Sequence, residues 1–205
     1  MTAAVLWLVA SYLLGSIPTS YLVGRICKGV DLREHGSRNL GATNLYRVLG
    51  WKYAIPVGLF DAAKGAIPVW LFGPRVPELP LLPLFCGVAA VVGHVFSVFV
   101  GFKGGKGVAT ASGVVLALAP WALLVVLVVW AATVWLTGYV SLGSVLSAAL
   151  FPPAAYFLEG SRGPVLAVEI ALAVFIIWKH RANLRRLAAG TENRFGRRAA
   201  RMSAR

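Results

Sequence analysis

The sequence predicts an all-α integral membrane protein of about seven transmembrane helices, with the N-terminus outside and the C-terminus cytoplasmic. Three observations lead there. Of the 205 residues, 59% are hydrophobic and 13% charged, and the mean hydropathy is +0.77; soluble domains carry about 25% charged residues. The apolar residues gather into runs at about 3–23, 53–72, 79–100, 108–119, 121–136, 142–158 and 163–178, most of them near the roughly 20 residues that a span needs. Seventeen of the twenty Lys and Arg fall within 24–52, at Lys103 and Lys106, and from Lys179 onward. Seven spans place all seventeen on the cytoplasmic side, with Arg75 and Arg162 outside and Lys64 within a span, whereas six would put the basic tail outside.

The first run has no basic segment before it and is interrupted by Gly15, Ser16, Pro18 and Thr19, so it reads as a retained helix and not as a signal peptide. The second contains Asp61 and Lys64, three residues apart on one helical face, read as a structural ion pair because such groups are expensive in lipid. The fourth is twelve residues long and rises only about 18 Å. It is either a short helix or the first part of one helix kinked at Pro120. Ser144 and Ser147 share a face at the start of the sixth, as packing and capping groups or as ligands. In the last run Glu169 lies on the same side as His180, about three turns later, either turned toward a cavity or snorkelling outward. Trp51, Trp70, Trp121 and Trp178 fall near the run ends, as interfacial anchors do.

Cys27 and Cys86 are far apart and lack metal-ligand spacing, so they read as inert thiols. The net charge of +13 follows from topology and needs no nucleic-acid partner. The gaps are too short for a soluble domain. Residues 1–205 therefore read as a single polytopic membrane domain, with cytoplasmic loops 24–52, 101–107 and 137–144 and a basic tail 179–205.

Three cytoplasmic stretches carry the chemistry. Lys103-Gly104-Gly105-Lys106-Gly107 reads as a phosphate cradle, its glycines exposing backbone N–H groups and its lysines adding charge, or else as a basic turn anchoring a hairpin. It is not a nucleotide P-loop, since Val100 and Gly107 stand where that motif needs Gly and Ser or Thr. Gly36-Ser37-Arg38-Asn39-Leu40-Gly41-Ala42-Thr43-Asn44, followed by Arg47, offers many donors in a tight backbone, suited to a polyol phosphate. It also fits a turn leading to an N-cap at Thr43 or Asn44. At the end of the last run His180 and Asn183 face the same way, and the arginines beyond them read as lipid-headgroup contacts.

Together with Gly93-His94, the continuation Val108-Ala109-Thr110, and Leu187 with Gly190-Thr191-Glu192, these stretches resemble the three cytoplasmic motifs of the bacterial acyl-phosphate:glycerol-3-phosphate acyltransferase family. The resemblance covers nearly the whole chain. It departs at Arg38, where the family usually has Gly, and at Ser97, where it usually has Pro, which bears on a local turn and a helix end. It implies transfer of a fatty acyl group from acyl phosphate to the 1-hydroxyl of glycerol 3-phosphate, giving lysophosphatidic acid and phosphate for phospholipid synthesis. By resemblance Ser37, Arg47, Lys106, His180 and Asn183 are catalytic, and Asn39, Thr43, Asn44, Lys103, Gly104, Gly105 and Ser144 bind substrate. No cofactor or metal is implied. The resemblance places the protein in the bacterial cytoplasmic (inner) membrane, with its site facing the cytoplasm among membrane lipid. It implies functional coupling to an enzyme that makes acyl phosphate and to a downstream lysophosphatidic acid acyltransferase.

An acyl phosphate is an activated mixed anhydride, so the enzyme has mainly to align the reactants and neutralise phosphate charge. The His-x4-Asp pair of soluble-type glycerolipid acyltransferases is absent, because Leu40, Phe99 and Arg185 follow His35, His94 and His180 at that spacing. His180 is either a general base or a phosphate ligand. The alternative function is carriage of organic phosphates, which a basic intramembrane cavity would also suit; that architecture carries inverted repeats, and none stands out here.

Overall fold

The computed structural model describes residues 2–195, so Arg197, Arg198, Arg201 and Arg205 of the basic tail lie outside the described residues. The described residues contain helices and no β-strand. The chain forms two compact units, divided between Leu118 and Ala119. The first contains α1 (Thr2–Ser16), α2 (Thr19–Lys28), α3 (Ala42–Leu49), α4 (Trp51–Ile67), α5 (Leu82–Val95) and α6 (Val108–Leu118). The second contains α7 (Pro120–Thr137), α8 (Val140–Leu158), α9 (Gly163–Lys179) and α10 (Arg181–Ala188).

Every apolar run is helical, but fewer than seven are long enough to cross a membrane unaided. Five segments are: Thr2–Lys28, Trp51–Arg75, Leu82–Val100, Pro120–Thr137 and Val140–Leu158. A sixth results if α9 and α10, bent by 53° about His180, count as one span. α6 has 11 residues, about 16 Å of rise against a hydrocarbon core of about 30 Å. It remains separate from α7 because Ala119, at φ −146° and ψ 63°, leaves helical geometry before Pro120, so the single kinked helix does not form.

In the first unit small residues bring helices into backbone contact, the packing that suits a lipid solvent. A Cβ on Gly15 would strike the backbone of Ala90, which brings α1 against α5. A Cβ on Gly65 would strike the carbonyl of Thr110, and one on Gly113 the carbonyl of Ala62, which does the same for α4 and α6. The break between α1 and α2 falls at Ile17-Pro18, where proline contributes no N–H. The ion pair expected in the second run is formed, with Lys64 Nζ 2.7 Å from Asp61 Oδ1 and both side chains almost wholly buried. Lys64 also donates to the Ile17 carbonyl at 2.8 Å, and the Thr19 hydroxyl donates to Asp61 Oδ1 at 3.2 Å. The pair thus ties α4 to the break.

In the second unit Glu159 Oε1 accepts the N–H groups of Trp121 and Ala122 at 2.7 and 3.2 Å, capping the first turn of α7. The Ser147 hydroxyl donates to the Val126 carbonyl at 2.8 Å, a packing contact between α7 and α8. Glu169 accepts a hydrogen bond from Ser161 at 3.1 Å. It therefore faces the loop that precedes α9. Trp51, Trp70, Trp121 and Trp178 are exposed, as anchors in lipid must be, and Cys27 and Cys86 are free thiols.

Candidate functional site

Ser37, Arg47 and Lys106 belong to the first unit and Ser144, His180 and Asn183 to the second. After α2 the chain turns at Gly29, which adopts φ 65° as a left-handed cap. The following loop is held by Leu32, Leu40 and Leu45, buried with Val57 and Val100. Asp31 accepts from Arg33 Nε and Nη2 at 3.0 and 2.7 Å and from Arg25 at 3.0 Å. The Arg33 hydrogen bond is the main cause that pulls the Asp31 carboxyl down to about 2.

Asn44 organises the rest of this loop. Its Oδ1 accepts the N–H of Ser37 at 2.7 Å, while Nδ2 donates to the carbonyls of Leu32 and His35 at 3.2 and 3.0 Å. The side chain is buried and its amide is engaged by backbone, where the sequence left it open to substrate. It holds Ser37, and the Ser37 hydroxyl has no hydrogen-bond partner among the described residues. The expectation of an N-cap at Thr43 or Asn44 is corrected. Gly41, extended at φ −150° and ψ 162°, precedes α3, and no side chain caps that helix. Thr43 and Arg47, four residues apart on α3, share a helical face and are half-buried, as is Asn39 in the loop before it. Arg38 stands at φ 58°, a left-handed conformation that glycine adopts without strain. The departure at 38 therefore keeps the turn and adds backbone strain.

Ser97 has φ −65° and ψ 121°, a conformation that proline also adopts, and its hydroxyl donates to the Ser16 carbonyl. The end of α5 is thus shaped without the proline. Gly101 and Phe102 then take φ 64° and 60°, and Gly107 takes φ 83°. Gly104 and Gly105 serve another purpose. Their N–H groups donate to the carbonyls of Val95 and His94, each at 3.1 Å. A Cβ on Gly104 would strike the His94 carbonyl, and one on Gly105 would strike His94 Nε2 and the Leu40 carbonyl. The two glycines let the cradle lie against α5 and the Ser37 loop. The backbone donors left for an anion are at the start of α6, where the first N–H groups have no intrahelical acceptor, just after Lys106. Lys106 is half-buried and Lys103 exposed.

In the second unit the helix breaks at His180, which caps α9 and precedes α10. His180 is buried, and its Nδ1 lies 2.8 Å from the Ile176 carbonyl. A carbonyl can only accept, so Nδ1 carries the proton and Nε2 is the acceptor of the neutral ring. Asn183 Nδ2 donates to Glu192 Oε1 at 2.7 Å, the Ser141 hydroxyl donates to the same oxygen at 2.9 Å, and Arg186 Nε donates to Oε2 at 2.7 Å. Burial raises the pKa of Glu192, but the hydrogen bonds from Asn183, Ser141 and Arg186 outweigh it and hold the carboxyl below its ordinary value. Arg186 is thereby a partner of Glu192, a contact the headgroup reading did not include. Ser144 is buried and donates back to the Val140 carbonyl at 2.9 Å, which leaves its oxygen able to accept. Glu192 and Ser141 were not among the expected site residues. Glu192 was visible in its motif, but only the fold shows that it anchors Asn183.

The family model described as glycerol-3-phosphate acyltransferase matches residues 5–190. A glycerol-3-phosphate acyltransferase of Geobacter metallireducens is 50% identical over 95% of this chain and 99% of its own length. One of Trichlorobacter lovleyi is 48% identical over the same shares. Among solved structures, an integral membrane glycerol 3-phosphate acyltransferase, PlsY, is similar in its glycerol 3-phosphate form, with a TM-score of 0.86 and 41% identity over 94% of this chain and 96% of that one. Its lysophosphatidic acid form gives 0.83 and 40% over 94% and 95%. The membrane-embedded chain with the Ser37 loop, the cradle and the His180 corner belongs to the glycerol-3-phosphate acyltransferase family.

Proposed function

We propose that the protein joins the acyl group of an acyl phosphate to the 1-hydroxyl of glycerol 3-phosphate, giving lysophosphatidic acid and inorganic phosphate. The observation that carries this reading is the similarity, over 94% of the chain, to a protein solved in glycerol 3-phosphate and lysophosphatidic acid forms. The hydroxyl oxygen attacks the acyl carbonyl carbon, the bond from that carbon to the phosphate oxygen breaks, and phosphate leaves with the electron pair. Lys106, Arg47 and the start of α6 neutralise phosphate charge, and Ser37, Asn39, Thr43, Lys103 and Ser144 bind the substrates. With Nδ1 fixed as a donor to Ile176, His180 Nε2 is suited to accept the hydroxyl proton, and Glu192 fixes the Asn183 amide three residues further on.

Counting α6 and α9 as short crossings beside the five longer ones gives seven, which puts the basic loops and the site on the cytoplasmic side of the inner membrane and the N-terminus outside. The enzyme depends on a source of acyl phosphate and supplies a second acyltransferase with lysophosphatidic acid. Purified protein in detergent, given acyl phosphate and glycerol 3-phosphate, should form lysophosphatidic acid, and acyl-CoA should not replace the acyl phosphate. Product from acyl-CoA alone, or none from acyl phosphate, would reject the reading. Cysteines placed at the exposed positions 34 and 190 should resist an impermeant label added from the periplasmic side.

A further inference from the structure

We infer that the buried Asp61–Lys64 pair is a positioning device for the phosphate cradle, acting through His94; this rests on the proposal that the cradle binds a substrate phosphate. An ion pair so deeply buried is a poor source of stability, because desolvation of both charges offsets their attraction. Its surroundings give it another use. Lys64 holds the carbonyl of Ile17 at the α1–α2 break, Thr19 from α2 donates to Asp61, and His94 from α5 points Nδ1 at Asp61 Oδ1 from 3.8 Å. That ring nitrogen is buried and has no hydrogen-bond partner, and the Asp61 carboxylate is the acceptor it faces, 3.8 Å away.

The same histidine is the floor of the cradle. Its carbonyl takes the N–H of Gly105, and its Nε2 occupies the space where a Cβ of Gly105 would be. The ring therefore packs against Gly105, and a rotation toward it would displace Gly105 and with it Lys106, the next residue. Charge at Asp61 is balanced by Lys64, transmitted to the His94 ring, and expressed as the height of the cradle. None of these three side chains needs to touch substrate. They are positioning residues.

A single substitution in the pair strands a buried charge, so the variant to make is Asp61→Leu/Lys64→Met, an apolar replacement of similar volume that such sites tolerate. In the full chain in detergent its melting temperature should stay near that of the unmodified protein. The KM for one of the two phosphate substrates should rise about tenfold and the other should change less than about twofold, since the cradle holds one phosphate. His94→Leu should give the same signature, and the triple variant should be no worse than the more affected of the two, as residues acting through one another are not additive. Thr19→Val carries the same test if the double variant fails to insert: a smaller rise of the same KM in the native background and none beside His94→Leu. The inference is overturned if both KM values hold, if both rise together, or if the effects of the pair and of His94 multiply. Turnover by the unmodified protein, measured alongside, tests the proposed function by itself.

Discussion

Asn44→Ala separates a residue that binds substrate from one that shapes the loop. The substitution removes three hydrogen bonds, to the Ser37 N–H and to the carbonyls of Leu32 and His35. At about 1 kcal/mol net for each, the cost is about 3 kcal/mol, and it is larger if the Ser37 N–H is left without water. For a chain of this length that is a fall of about 6–12 °C in melting temperature. The loop that places Ser37 is then displaced, and a misplacement of about 1 Å at a reacting group costs on the order of a hundredfold in catalytic efficiency. Thermal unfolding in detergent and lysophosphatidic acid formation, measured on the same preparation, read both quantities. A variant with an unchanged melting temperature and only a raised KM for glycerol 3-phosphate would refute this reasoning and return Asn44 to the substrate ligands.

Lys106→Ala should lower catalytic efficiency by about tenfold to a few hundredfold, the loss of one charged hydrogen bond of about 1.5 to 3 kcal/mol, with insertion into the membrane unchanged; full activity would reduce the cradle to a basic turn. Arg38→Gly relieves a residue at φ 58° and should raise the melting temperature by about 1–4 °C; an unchanged or lower temperature would show that the left-handed turn stores no strain. Asp31 has a folded pKa of about 2 against 3.8 for the free group, so its stabilising contribution is complete above 3.8 and is lost as pH falls toward 2. Asp31→Asn should flatten that part of the pH–stability curve, and an unchanged acid limb would show that the Arg25 and Arg33 contacts contribute nothing.

The helical segments were legible because lipid demands long apolar runs, and each expected run lies within a few residues of an observed helix. The count was less legible. Hydropathy does not distinguish α6, at 11 residues, from a full span when both are equally apolar. Neither the bend at His180 nor the separate helix α3 follows from periodicity: α3 is bounded by Gly41 in an extended conformation and by Gly50 at φ 87°. At the site, residue types and motif order singled out three stretches, but the direction of each hydrogen bond did not follow from them. Asn44 and the amides of Gly104 and Gly105 carry groups that bind anions equally well, and only the fold shows them already engaged by backbone. Glu192 lies nine residues from Asn183, and the contact requires the chain to reverse after α10. The Asp61–Lys64 pair was read correctly because two opposite charges in one buried turn have few alternatives.

The amides of Gly104 and Gly105, engaged by the carbonyls at the end of α5, also affect the thermodynamics of binding. A glycine-rich loop that ordered itself around its ligand would lose about 1–2 kcal/mol of backbone entropy per residue at each encounter. Here that loss falls on folding, once in the life of the molecule, and successive phosphates meet a surface that is already shaped. Calorimetry of phosphate binding should therefore lack the large unfavourable entropy of a disorder-to-order transition. The cradle resembles a mould more than a clasp, and its shape persists between turnovers.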